Sequence, residues 1–150
     1  MRSDVYGGGV ERVVMLYEGQ TDARPVTLEL TDEVPPLAGV RRWTSGLLSD
    51  RSADEVEDCL LVVTELVANA YDHGAAPRRL RVRRLSGPCA VRIEVDDAGD
   101  GEVVVGRSRM SAERGRGMVL VEHCSANWGV DRHEHGKTVW AEIACSDRPA

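Results

Sequence analysis

The chain has 150 residues, a length that suits one domain able to bury a core without staples. Its 42% hydrophobic and 29% charged residues are those of a soluble globular protein, and a net charge of −6 argues against general nucleic-acid binding. Four cysteines at 59, 89, 124 and 145 form no CxxC, which excludes a zinc ribbon and a small disulfide scaffold.

Residues 1–24 read as a tail, with GGG at 7–9 and a weak strand at 10–18. The domain proper is expected over 25–146. PVTLELT at 25–31 alternates Val26, Leu28 and Leu30, which predicts a strand. Pro35 and Pro36 mark a break, after which apolar residues at 37, 40, 43, 47 and 48 keep a helical period. Ser52 and Asp54 are the cap candidates for a second helix that runs to about residue 71 and stops at Gly74 and Pro77. Its core stripe is read as Val56, Leu60, Val63, Val67 and Ala70. Beside that stripe runs a polar line of Asp58, Glu65, Asn69 and Asp72 at spacings of three and four.

RRLRVRRL and AVRIEVDD, joined by SGPC, predict a hairpin. The first alternates Arg with apolar residues, which fits a strand with one wet face better than a phosphate-tracking patch. DDAGDGE is a glycine-rich loop, and GRSRMSAERGRG a polar segment. GMVLVEHCSA predicts a short helix, and NWGVDRHEHGKTVWAEIA a strand, turn and strand. This order gives a two-layer α/β sandwich, with helices on one face of a mixed, mostly antiparallel sheet. His133 and His135 lack a Cys or acidic partner at ligand spacing and read as a solvated strand edge. The three tryptophans, at 43, 128 and 140, lie in periodic segments and read as core. Cys59 and Cys89 read as core thiols. No signal peptide and no apolar run near about 18 residues occur, so the chain is expected to be cytoplasmic and reduced. Lys137 is the sole lysine.

Three polar clusters call for one explanation. Glu65 and Asn69 lie one turn apart and project from one helix face. Asp97, Gly99 and Gly101 follow a strand directly, and Gly115-Arg116-Gly117 opens a helix. Glycines at a helix start expose backbone N–H groups that hold phosphate oxygens. An Asn amide oxygen suits Mg²⁺, a neighbouring carboxylate can take a proton from an attacking hydroxyl, and a buried Asp can accept from the amino group of adenine.

With these residues in place, the chain resembles the GHKL (histidine-kinase-like, Bergerat-fold) ATPases, and more narrowly the bacterial anti-sigma-factor serine/threonine kinases of the short actinobacterial type. The resemblance spans about 26–143. It is carried by ELVANAYDHG as the N-box, VDDAGDG and GRGMVLVEHCSANWGV as the glycine boxes, and GKTVWAE as the closing strand. It implies Glu65 as general base, Asn69 as Mg²⁺ ligand and Asp97 as the adenine-reading carboxylate. It further implies Thr138 as the supporting hydroxyl, with Gly99 and Gly101 along the base and ribose. Arg114, Gly115, Arg116, Gly117 and Met118 would form the phosphate-side loop, and His73 matches a position near the phosphates. ATP and Mg²⁺ are the implied cofactors. A sigma factor and a STAS-type antagonist protein are the implied partners, with homodimers common in the family. A non-catalytic ATP-sensing module is the alternative, and an ATP-hydrolysing clamp a third reading. There is no P-loop and no HRD or DFG set, which excludes those kinase and ATPase types.

Overall fold

The computed structural model describes residues 2–6, 24–86, 89–99 and 120–145, with backbone alone at 2–6 and 89. In chain order the elements are β1 (Arg2–Tyr6), β2 (Val26–Leu30), α1 (Leu37–Leu47), α2 (Ala53–His73), β3 (Arg78–Ser86), β4 (Cys89–Asp97), β5 (Asn127–His133) and β6 (Gly136–Ala144). A short helical stretch at 120–124 precedes β5. The strands form one sheet in the order β1-β5-β6-β4-β3-β2. Every pairing among them is antiparallel, so the mixed character allowed for in the sequence is not needed by the described strands.

Strand and helix periodicity build the two layers. On β3, β4 and β6 alternate residues point to the helices: Leu80 and Val82, Ile93 and Val95, Val139 and Ala141, all buried. Trp128 and Val130 of β5 and Leu30 of β2 join them in one core cluster with Val40 and Leu48 from α1 and its end. Helix α2 lies against β4 and β6 and carries α1 alongside. It therefore buries a broad face: Cys59, Val62, Val63, Leu66, Val67 and Ala70. The stripe read from the sequence is rotated relative to this. Leu60 and Val56 are only partly buried, because α2 must meet both the sheet and α1.

The start of α2 is well specified. Ser52 is the N-cap, its Oγ accepting from Glu55 N–H at 3.2 Å, and Asp54 and Glu55 place negative charge in the first turn. At the other end Gly74 is the C-cap. Arg78, at the start of β3, donates from Nε to the Ala70 carbonyl at 2.9 Å. Its guanidinium also lies 4.1 Å from the centroid of the Tyr71 ring. That arginine ties the helix end to the sheet by meeting a carbonyl that helix geometry leaves without a partner.

The other face of the sheet is polar and largely paired. Arg81, Arg83 and Arg92 surround Glu94, with N–O separations of 3.7, 3.1 and 3.1 Å. Arg92 also meets Glu142 at 2.8 Å and lies 4.3 Å from the centroid of Trp140. The arginine-rich strand is thus a charged sheet face, as its alternation predicted. Both Trp128 and Trp140 are buried.

Two expectations are corrected. The N-terminal strand lies at Arg2–Tyr6, where a tail was expected; its backbone pairs with β5 from Arg2–Arg132 to Tyr6–Trp128. The weak strand expected at 10–18 falls outside the described residues. Cys59 and Cys124 are free thiols, but Cys145 is disulfide-bonded, against the expectation of a reduced chain. The register that pairs Ala90 with Ala144 sets Cys145 beside the start of β4. The Cys89 side chain is outside the described set.

Candidate functional site

Three segments meet at one end of the sheet: the last turn of α2, the end of β4, and the β5–β6 turn. Asp97 stands at their junction. Its side chain faces the helices and has no exposed surface. Asp97 Oδ1 accepts from Gly99 N–H at 2.8 Å, which holds the loop after β4 in a tight turn. Asp97 Oδ2 is buried and takes no hydrogen bond of good geometry.

Glycines make that junction possible. A Cβ on Gly74 would lie 2.4 Å from Asp97 Cγ, and one on Gly99 would lie 2.9 Å from Gly74 Cα. Gly136 has φ +150°, and a Cβ there would meet the Asp97 carbonyl oxygen at 2.0 Å.

The residue that faces Asp97 across the strands is Lys137. Its Nζ lies 3.1 Å from Oδ1 and 3.0 Å from Oδ2, and it donates to the His73 carbonyl at 3.4 Å. The Lys137 side chain is fully buried. Thr138, by contrast, points to the far face. Its Oγ1 donates to Asp96 Oδ1 at 2.6 Å and sits 3.3 Å from His133 Nε2. The strand period separates it from Asp97, so the expected support of Asp97 by Thr138 does not occur, and Lys137 holds that place.

Glu65 and Asn69 follow one another on α2, as their spacing requires. Asn69 is 7% exposed and Glu65 half-buried. Burial holds the Glu65 carboxyl above the usual carboxylate range, and the charge of Asp72 adds to this. His73 ends the same helix and contributes its carbonyl to Lys137. Gly101, Arg114, Gly115, Arg116, Gly117 and Met118 lie outside the described residues. Among the described residues, no group of three or more His, Cys, Asp or Glu could hold a metal ion. His135 is exposed, as expected of a wet strand edge.

A cavity of about 880 Å³ opens beside the junction, lined by Ala75, Ala98, Gly99, Arg132 and Gly136 among others. A smaller one of about 360 Å³ reaches Asp97 from the Arg78, Arg81 and Thr138 side. Neither is lined by Glu65 or Asn69.

The sequence profile of the histidine kinase-like ATPase domain matches residues 30–143. The chain belongs to the histidine kinase-like ATPase family. A search of curated proteins finds no significant match. Among solved structures, the chain is similar to the RsbU and RsbW domains of Rv1364c from Mycobacterium tuberculosis. That likeness has a TM-score of 0.60 at 20% identity, covering 85% of this chain and 33% of the other. The chain thus spans about a third of that solved chain's length. A second likeness is to the histidine kinase domain of the blue-light activated histidine kinase EL346 from Erythrobacter litoralis. Its TM-score is 0.45 at 19% identity, covering 87% of this chain and 69% of that one. At 20% identity the likeness to the first is one of fold.

An ATPase domain of this family binds its nucleotide, and the site has an atom suited to a base. Asp97 Oδ2 is buried with the Lys137 ammonium 3.0 Å away, so the ion pair meets its charge and the oxygen keeps a lone pair able to accept. Two residues at this junction escaped the sequence reading. Arg78 carried no signal beyond its place in a basic run. Lys137 did carry one: it shares the two-residue period of Val139, Ala141 and Ile143, which marks the helix-facing side of β6.

Proposed function

We propose that this chain is an ATP-dependent serine/threonine protein kinase and anti-sigma factor that phosphorylates a STAS-type antagonist protein. Residues 25–146 form the catalytic domain in this reading, and the protein works in the cytoplasm, a compartment in which the Cys145 disulfide would be open to reduction. No helix among the described residues is long and apolar enough to cross a membrane. The single observation that carries the kinase reading is Glu65, a half-buried carboxylate one turn from the buried Asn69, with its proton affinity raised by its surroundings. A carboxylate so tuned is suited to accept the proton of a protein hydroxyl as the phosphoryl group leaves.

The roles follow from position. Asp97 would accept from the base amino group, with Gly99 and Gly101 along the base and ribose. Gly115, Arg116 and Gly117, with Arg114, would provide backbone N–H groups and positive charge for phosphates. Asn69 would hold Mg²⁺, an ion that needs few protein ligands and would supply positive charge for the phosphoryl transfer. Positioning and charge neutralisation then provide most of the rate. Sigma factor and antagonist are the macromolecular partners in this reading.

Incubation with γ-labelled ATP, Mg²⁺ and STAS-domain proteins tests it. Labelled serine or threonine on one of them is expected, and Glu65→Gln is expected to stop transfer while nucleotide still binds. Equal transfer by that variant would refute the role of Glu65. One observation favours the ATP-sensing alternative: Asp97 and Lys137 have no exposed side-chain surface, so a base must move the loop at Gly99 to reach them. Tight ATP binding with no phosphotransfer to any STAS protein would decide for that module.

A further inference from the structure

We propose that Cys145 is a thiol-exchange site: a low-molecular-weight thiol of the glutathione type opens its disulfide, and Arg51 makes Cys145 the sulfur that departs. The site stands apart from the nucleotide junction. Cys145 follows the last residue of β6, whereas the pairing of Lys137 with Asp97 lies at the strand's start.

The cysteines differ in their surroundings. Cys59 is 1% exposed, and burial pushes its thiol up to about 12 although Arg51 pulls the other way. Cys124 is half-buried; its thiol is raised too, first by burial and then by the charge of Asp58 and a hydrogen bond to it. Both are free, and a thiol held in its protonated form is inert in exchange. Cys145 is disulfide-bonded and half-buried, and Arg51 Nη1 donates to its Sγ.

A cation on that sulfur matters most when the bond is open. Disulfide sulfur is neutral and a weak acceptor, so a guanidinium gains little there. A thiolate carries a full charge and gains much more. Arg51 is also fixed by contacts other than the sulfur. Its Nη1 lies 3.6 Å from Glu55 Oε2, and its backbone N–H donates to the Leu48 carbonyl at 3.0 Å. The next residue is Ser52, the N-cap of α2. The start of the helix thus holds a positive charge in place for the leaving thiolate.

The exchange then has a direction. An external thiolate attacks the sulfur of the cysteine bonded to Cys145. The S–S bond breaks, its electron pair goes to Cys145, and that thiolate pairs with Arg51. The external thiol is left as a mixed disulfide on the partner cysteine. A second external thiolate attacks the sulfur of the first. It frees the partner as a thiolate, which takes a proton from water, and leaves the two small thiols joined. Two electrons pass from them to the protein. Attack on Cys145 itself would put the charge on the other sulfur, without the guanidinium. The better leaving group decides which sulfur is attacked. In the compartment proposed above, disulfides that do form are mostly of this exchanging kind.

The test is equilibration of the full chain with glutathione at graded ratios of reduced to oxidised form. Samples are quenched in acid, unfolded and alkylated, and mass spectrometry counts the thiols and maps the attachments. Two of the four cysteines should alkylate at the oxidising end and all four at the reducing end. After brief exposure to reduced glutathione, the mixed disulfide is expected on the partner cysteine over Cys145 by roughly fivefold or more. In Arg51→Met that bias should fall to within about twofold, and the equilibrium should move roughly tenfold toward the disulfide. Arg51→Lys, which keeps the charge, should retain part of both. Circular dichroism shows which variants fold; if Arg51→Met does not, the wild-type map and Arg51→Lys decide. Glutathione spread equally over both sulfurs of the wild type, or an unchanged map and equilibrium in Arg51→Met, overturns the proposal. Four alkylated thiols at the oxidising end overturn the disulfide itself.

Discussion

Lys137 Nζ sits between both carboxylate oxygens of Asp97, at 3.1 and 3.0 Å, and neither side chain has any exposed surface. A pair of this kind contributes little net stability, but each half depends on the other. Removing one partner strands a buried charge, which costs about 3–5 kcal/mol. Asp97→Leu and Lys137→Met are each expected to lower the urea midpoint by that measure. The double variant should recover much of the loss, because two apolar side chains leave no charge behind. Single variants that each cost under about 1 kcal/mol would show the pair to be loose and wet.

Gly136→Ala is expected to destabilise the fold by about 2 kcal/mol or more. The residue has φ +150°, and an added methyl would meet the Asp97 carbonyl oxygen at 2.0 Å. Gly46→Ala is the internal contrast. It lies in α1, exposed, with nothing within 4 Å of an added methyl. That change should raise stability by about 0.5–1 kcal/mol through helix propensity. Chemical unfolding of the two variants beside the wild type checks both signs.

Glu65 gives a pH signature. Burial, reinforced by Asp72, raises its pKa in the folded chain. Folding therefore favours the protonated form, and stability from this group is present below the unfolded-state pKa and lost as pH rises through the folded one. Glu65→Gln mimics the protonated carboxyl. Its melting temperature is expected to exceed that of the wild type at pH 7 by roughly 1–3 °C and to match it near pH 4. A variant less stable than wild type at pH 7 would mean that the Glu65 charge is stabilising, and a base kept in an uncomfortable place would be the wrong picture.

On the far face, Arg92 holds Glu142, which is 1% exposed, at 2.8 Å. Burial raises the Glu142 pKa although Arg92 and Asn127 pull it down. Arg92→Ala is expected to cost about 3 kcal/mol at neutral pH and less near pH 4, where the stranded carboxyl can protonate. Arg92→Lys should not restore the wild type, since one ammonium cannot copy the planar guanidinium that bonds Glu142 and lies over Trp140. Thermal scans at the two pH values separate this from simple loss of packing.

The elements that were legible in the sequence owe it to physical periods. Alternation in β3 and β4 announces a sheet with one apolar face, and Ser52 and Asp54 announce the start of α2. Glu65 and Asn69 stand out in the sequence because polar groups in an apolar run are costly unless used, and Asp97 because it opens a glycine-rich loop directly after a strand. Strand β1 was not legible: RSDVY has no apolar alternation, and pairing of its backbone with β5 is a tertiary event. Thr138 was assigned to Asp97 through motif resemblance, when the two-residue period of β6 places it on the opposite face with Trp140 and Glu142. The same period marks Lys137 as inward. A lysine in line with Val139, Ala141 and Ile143 is either a buried partner or an error in register, and here it is the partner.

The central claim is that the end of α2, the loop after β4 and the start of β6 form one nucleotide site around Asp97. Amide NMR of the full chain during titration with Mg²⁺–ATP tests it most directly. Saturable shifts at Gly74, Gly99 and Lys137, with Arg79 and Arg83 on the far face unmoved, are what this arrangement requires. Saturation of the far-face amides alone, or no saturable change at Gly74 and Gly99, would contradict it.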